Sequence, residues 1–319
     1  MRDIATTNIP AFPAVAVKVL NLLSTEEARV AELAEAIDSD PLFSAQVLRL
    51  ANSPLFGLRA QIDNVQRAIV TLGLSRIQAL TMSVAAANYM KAEFKTMELR
   101  RCWSHSIASA TICRSLARAC SLPVGLAYTA GLLHDIGRLG LLVAYPSHYA
   151  AMLRDAGKKP QALLKREAER FGGEHCGAGQ ELGEEWGLPS GFGEITGRHH
   201  EKPSGKSSDW LKTSYLACQM ADSLGFSVVK PCQAPEFDSL CKMLPPAMRR
   251  SFQVQAAVLK AAIGLGIDAH DSTVYALPEP AVKGTELDEC PPEVPPEPAP
   301  DAIEPEPLIF ASLAPTQTD

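Results

Sequence analysis

The segment Gly131-Leu-Leu-His134-Asp135-Ile-Gly137-Arg138 places an imidazole and a carboxylate side by side, after an apolar run and before a glycine. Adjacent residues on an α-helix point roughly 100° apart, so a His-Asp pair at a helix end can grip one metal ion from two sides. Five more potential ligands flank it in the chain: His105, His175, His199, His200 and Asp222. Five of the seven histidines belong to this series. Histidine used so selectively suggests a cluster, and an imidazole-rich site suits a divalent first-row metal such as iron, manganese, zinc or nickel. The competing reading is a polar core whose side chains bond to one another. Cys176, beside His175, could ligate as well, but a lone cysteine in a chain of this kind reads first as a small core residue.

Helices must hold these residues. Trp103-Ser-His105-Ser begins a helix that runs through Cys120, and Pro123 to Asp135 reads as a helix that delivers the His-Asp pair at its end. Pro146–Ala156 and Pro160–Phe171 each open on proline. Gly172-Gly173 breaks the chain before a helix from about His175 to Trp186, which Gly187 and Pro189 terminate. Gly191-Phe-Gly193 reads as a helix start, and Trp210 to Leu224 is strongly apolar and ends at Gly225. Upstream, Pro13–Leu23 and Glu26–Ile37 have apolar residues at helical spacing, with Leu33, Ala34 and Ile37 on one face. Asp40-Pro41, a cap followed by proline, opens Leu42–Ala51, and Asn52-Ser-Pro54 stops it. Asp63 is placed to cap Val65–Leu72, Gly73 to end it in a left-handed turn, and Ser75 to cap an apolar helix toward Met90. Pro235–Leu244 and Pro246–Leu265 also read as helices. No stretch alternates with period two, so the fold class expected is all-α.

The combination Asp40-Pro41, Leu48-Arg-Leu-Ala-Asn52-Ser-Pro-Leu-Phe-Gly57 and Ala68-Ile-Val-Thr-Leu-Gly-Leu74 resembles the N-terminal half of HDOD domains, the HD-related output domains of bacterial signalling proteins. The His-Asp-Ile-Gly segment, Glu174-His175-Cys-Gly-Ala-Gly, Trp186-Gly-Leu-Pro189, the double histidine and Ala221-Asp222 continue that resemblance over residues 8–226. It implies a multi-helical HD-superfamily bundle, with an N-terminal helical subdomain at 8–95 and an HD-like subdomain at 96–226. A helical extension over 227–277 and a disordered tail over 278–319 complete the expected domains.

The ligand order is also that of HD-GYP phosphodiesterases, a neighbouring branch. By that resemblance Asp135 would bridge two divalent metals, with His105, His134 and Asp222 on one and His175, His199 and His200 on the other. Asp135 and Arg138 would be catalytic if the chain were an enzyme. Two features depart from the pattern. Arg138 stands where a lysine usually follows His-Asp-x-Gly, and Glu201-Lys-Pro-Ser-Gly205 replaces Gly-Tyr-Pro after the double histidine. An arginine is forked and meets a phosphate differently from a lysine. The resemblance therefore implies a regulatory signal-transduction protein that binds metal and has little or no hydrolase activity. Its expected partners are a signalling protein or a nucleotide-derived ligand. The alternative is a metal-dependent phosphodiesterase acting on cyclic dinucleotides or related phosphodiesters.

Composition sets outer bounds. With 319 residues and 46% hydrophobic content the chain can bury a sizeable core. No apolar run reaches the roughly 18 residues that span a bilayer. The N-terminus lacks the charged start and apolar core of a signal peptide, so a soluble cytoplasmic protein is expected. The eight cysteines form no Cys-x-x-Cys pair and read as reduced thiols. From Pro278 to Asp319 there are ten acidic residues, one lysine and eleven prolines, a composition expected to stay disordered. That tail holds −9 of the net −6, leaving +3 on the other 277 residues. A near-neutral body without a Lys/Arg cluster is poor support for nucleic-acid binding. Arg198 and Lys202, beside the double histidine, read as solvated charges.

Overall fold

The computed structural model describes residues 12–23, 29–91, 96–156, 162–189, 191–204, 209–229 and 234–275. Among these there is no strand, and nearly all regular structure is α-helix. The first helices are α1 (Ala14–Leu23), α2 (Val30–Asp38) and α3 (Pro41–Ala51). Leu33, Ala34 and Ile37 are buried on one face of α2, as their spacing predicts. Asp40 caps α3: its Oδ1 accepts from the amides of Leu42 at 3.0 Å and Phe43 at 3.1 Å. Pro41, the first helical residue, lacks the amide that would otherwise go unpaired. After α3 the side chain of Asn52 donates to the carbonyls of Leu48 and Ile62 and accepts from the Ile62 amide, all within 2.9 Å. That clasp closes the loop of residues 52–62 against the end of α3.

The helices α4 (Val65–Leu72) and α5 (Leu74–Lys91) follow. Asn64, not Asp63, caps α4, its Oδ1 accepting from the Arg67 amide at 2.7 Å. Both residue types cap well, and only register separates them. Gly73 ends α4 with φ +83, a sign that favours glycine. Its ψ of 158 is extended rather than left-handed helical, and α5 starts directly at Leu74, so Ser75 lies inside the first turn.

The second half is built on α6 (Met97–Cys120), α7 (Val124–Leu133) and α8 (Ile136–Ala144). α6 begins six residues before the expected Trp103 start, with Thr96 accepting from the Leu99 amide. α9 (Pro146–Ala156), α10 (Leu163–Phe171), α11 (His175–Glu185), α12 (Gly191–Arg198) and α13 (Asp209–Ser223) complete the HD-like part. The first residues expected in the helices at 26 and 160 lie outside the described residues. The single helix expected over Pro246–Leu265 is two: after α14 (Phe237–Lys242), α15 (Pro246–Ser251) ends where Phe252 turns to ψ 76, and α16 (Ala256–Tyr275) follows. Phe252 is 6% exposed, so turning its ring inward breaks the helix without glycine or proline.

Two apolar clusters meet along α6. The larger runs from α1–α5 into α7–α12 and includes Leu20, Leu50, Ile77, Leu132 and Tyr149. The smaller joins α6 to α13–α16 through Ile112, Leu116, Leu216, Met220 and Ile263. Truncating a fully buried side chain such as Ile112 to alanine typically costs about 2–5 kcal/mol. All described residues fall within one unit, Met1–Leu277, and the acidic tail lies outside them. No helix among the described residues is long and apolar enough to cross a membrane. Cys102, Cys113, Cys120, Cys176, Cys218 and Cys241 are free thiols.

Candidate metal centre

The helix expected to run from Pro123 to Asp135 ends at Leu133, and a new one starts at Ile136. His134 and Asp135 form the break. Asp135 has φ −111 and ψ 23, and its carbonyl accepts from the Arg138 amide at 3.1 Å. Glycines set this corner against its neighbours. A Cβ on Gly131 would lie 2.6 Å from the Ser109 carbonyl oxygen on α6. A Cβ on Gly137 would overlap the His175 carbonyl and lie 2.6 Å from the Gly179 nitrogen on α11. Only glycine allows such close backbone approach.

Four buried histidines are held in one manner. His134 Nδ1 sits 2.8 Å from the Gly131 carbonyl oxygen, and His199 Nδ1 sits 2.9 Å from that of Thr196. His105 Nδ1 is 2.9 Å from the Phe226 carbonyl oxygen, and His175 Nδ1 is 2.6 Å from Glu167 Oε2. Each acceptor calls for a proton on Nδ1, which leaves Nε2 with its lone pair. Such anchoring through the far nitrogen orients ligating histidines.

The Nε2 atoms converge. Those of His175 and His199 lie 3.3 and 3.5 Å from Asp135 Oδ1. That of His200 is 3.0 Å from His175 Nε2. Potential ligand atoms fall into two groups, each within 4.8 Å: His175, Cys176, His199 and His200, and His105, His134 and Cys218. Asp222 joins neither group. Its Oδ1 is 3.4 Å from His105 Nδ1, on the side of the ring that meets Phe226. Three buried acceptors, His134 Nε2, His199 Nε2 and Asp135 Oδ1, have no hydrogen-bond partner. Buried polar atoms are seldom left unpaired, and an electron-rich set aimed at one place fits a cation. The donor set therefore suits a divalent metal.

Electrostatics keep the histidines and carboxylates in ligand form. Burial lowers His134, His175 and His200, with neighbouring imidazoles or Arg138 adding to the effect, so all three stay neutral. Burial alone would raise Asp135, but the guanidinium of Arg138 holds it well below the usual carboxylate range. Burial likewise works against Glu167, yet His175 and Arg138 bring it down to about 2. Burial, Asp222 and Asp135 push the Cys218 thiol well up.

Arg138 is the surprise of the site. It is 6% exposed, and its Nε donates to Asp135 Oδ2 at 2.7 Å. One terminal nitrogen donates to the Tyr149 hydroxyl at 3.2 Å and reaches Glu167 Oε1 at 3.5 Å, while the other lies 3.4 Å from His200 Nε2. Tyr149 in turn donates to Glu167 Oε1 at 2.7 Å. Glu167, Tyr149 and Cys218 are the contributors that sequence reasoning missed. The isolated His148 is exposed on α9, and Arg198 pairs with Glu194 and Glu201 on the surface.

The HDOD domain model matches residues 9–202, well over half of the chain. The chain belongs to the HDOD domain family. Its fold is shared by an HDOD domain protein of Geobacter sulfurreducens, at 22% identity and a TM-score of 0.66 over 84% of this chain and 94% of that one. A candidate phosphohydrolase of Shewanella amazonensis SB2B is similar too, at 22% identity and a TM-score of 0.63 over 84% and 96%. An uncharacterised protein of Treponema pallidum (strain Nichols) is 23% identical over 200 residues, 61% of this chain. The matched stretch spans only 38% of that relative's length.

Proposed function

We propose that this HDOD protein works in signal transduction as a regulatory module, binding metal in its buried histidine cluster and hydrolysing little or nothing. The observation that carries this reading is the pairing of Asp135 with Arg138. The common carboxylate bridge of a two-metal site gives one oxygen to each cation. Here Oδ2 accepts from Arg138 at 2.7 Å, so Oδ1 alone is left for a metal. The guanidinium also supplies a fixed positive charge beside His200, where a second cation would be repelled. Its donors are spent on protein groups, which removes them from any phosphate.

His105, His134, His175 and His199 with Asp135 Oδ1 are the groups we assign to metal binding, and His200 borders them. A divalent cation there would polarise a phosphoryl oxygen and acidify a bound water. Burial opposes such use: His134, His175 and His199 are each at most 1% exposed. The expected inputs and outputs are instead a partner protein or a nucleotide-derived ligand bound at the surface.

The second reading, a metal-dependent phosphohydrolase, is favoured by the three unpaired acceptors around Asp135. One experiment separates the two. Protein purified without chelator is analysed for metal, then assayed on cyclic dinucleotides and simple phosphodiesters. Stoichiometric metal with no turnover supports the regulatory reading. Turnover that Asp135→Ala abolishes would replace it with the hydrolase.

A further inference from the structure

Cys218 is the unexpected member of the group that holds His105 and His134. It lies on α13, one helical turn before Asp222, and is 2% exposed. Its Sγ is 3.6 Å from His105 Nε2. A zinc-type cation sits about 2.0–2.1 Å from nitrogen and about 2.3 Å from sulfur, so a 3.6 Å separation corresponds to an N–metal–S angle of roughly 110°, close to tetrahedral. The third atom of the group is His134 Nε2, buried and without a hydrogen-bond partner, its Nδ1 already engaged with Gly131.

Asp222 occupies a different place. Its carboxylate meets His105 through Nδ1, the nitrogen turned from the sulfur. A carboxylate in that place orients an imidazole and raises its basicity.

We propose that His105, His134 and Cys218 form a thiolate–imidazole site for one soft divalent cation of the zinc type, with Asp222 as a positioning residue behind His105. On binding, the Cys218 S–H proton leaves to solvent and the sulfur forms the metal bond. This assignment rests on the metal-binding reading above, narrows its ligands to the His105–His134 side of the cluster and adds Cys218 to them.

Cobalt(II) is the probe. The full chain is loaded with cobalt(II), bound metal is counted by equilibrium dialysis, and the absorption spectrum is recorded. A sulfur-to-cobalt charge-transfer band in the near ultraviolet is expected, with tetrahedral ligand-field bands in the visible. Cys218→Ser should lose the charge-transfer band and Cys176→Ser should keep it, with circular dichroism confirming that both fold. Asp222→Asn should keep the band while weakening binding about 10–100-fold. Bound cobalt without a charge-transfer band in the native protein overturns the sulfur ligand and leaves the metal reading intact. A band that survives Cys218→Ser, or disappears with Cys176→Ser, overturns the assignment to Cys218. No bound cobalt overturns both.

Discussion

Gly137 is pressed against the backbone of His175, with no room for a methyl group between them. This contact joins the corner that carries Asp135 to the start of α11, and so fixes the distance between the carboxylate and the His175 ring. Gly137→Ala should cost about 1–3 kcal/mol or more, as overpacked cores do, and should lower metal stoichiometry. Gly177→Ala is the matched control: nothing lies within 4 Å of its added methyl, and helix propensity favours alanine by about 1 kcal/mol. Urea midpoints of the two variants should move in opposite directions.

Arg138→Ala removes the counter-charge of both Asp135 and Glu167. Breaking a buried ion pair from one side costs about 3–5 kcal/mol, and that loss is expected in the metal-free protein. Added divalent metal should recover part of it by neutralising Asp135. Denaturation with and without metal checks this, and a variant no more stabilised by metal than the native chain would contradict it.

Glu167 accepts from the His175 amide at 3.0 Å and holds His175 Nδ1 at 2.6 Å. Glu167→Gln keeps the shape and removes the charge. Metal affinity should fall about 10–100-fold, the usual effect of losing such support, with little change in far-ultraviolet dichroism. Competition with a chromophoric chelator measures it.

Acid should destabilise the metal-free protein in two stages. His134, His175 and His200 have folded pKa values below the ordinary imidazole value of about 6.5. Below that pH the unfolded chain binds protons that the native state refuses. Stability therefore falls as pH drops, by up to about 1.4 kcal/mol per unit for each histidine. Asp135 and Glu167 have depressed values, so their contribution is full above roughly pH 4–5 and is lost as pH falls through the folded-state values, about 2 for Glu167. Thermal or urea unfolding between pH 8 and 4 should show this slope, and a flat profile would refute it.

The fold class and the histidine series were legible because both depend on residue type and period. Asp40-Pro41 could be placed because cap and proline agree. The Asp63–Asn64 choice was not legible, since neighbouring residues cap equally well. The break at His134-Asp135 was hidden for a different reason. Nothing local interrupts the apolar run, and glycine contacts to α6 and α11 show only after folding. Glu167 lies eight residues before His175 and looks like one charge among many in Leu163–Phe171 until docking buries it. Cys218 carries the least signal: a thiol in an apolar helix reads as core, and only its distance to His105 sets it apart.

His105 meets Phe226 across 121 positions and Cys218 across 113. A nascent chain therefore cannot complete this centre until α13 and the turn after it have left the ribosome. The N-terminal helices and α6 through α12 are all synthesised before that point. At the proposed site, capture would therefore come only after α13 has emerged, and a cation bound there would report that the chain has closed upon itself.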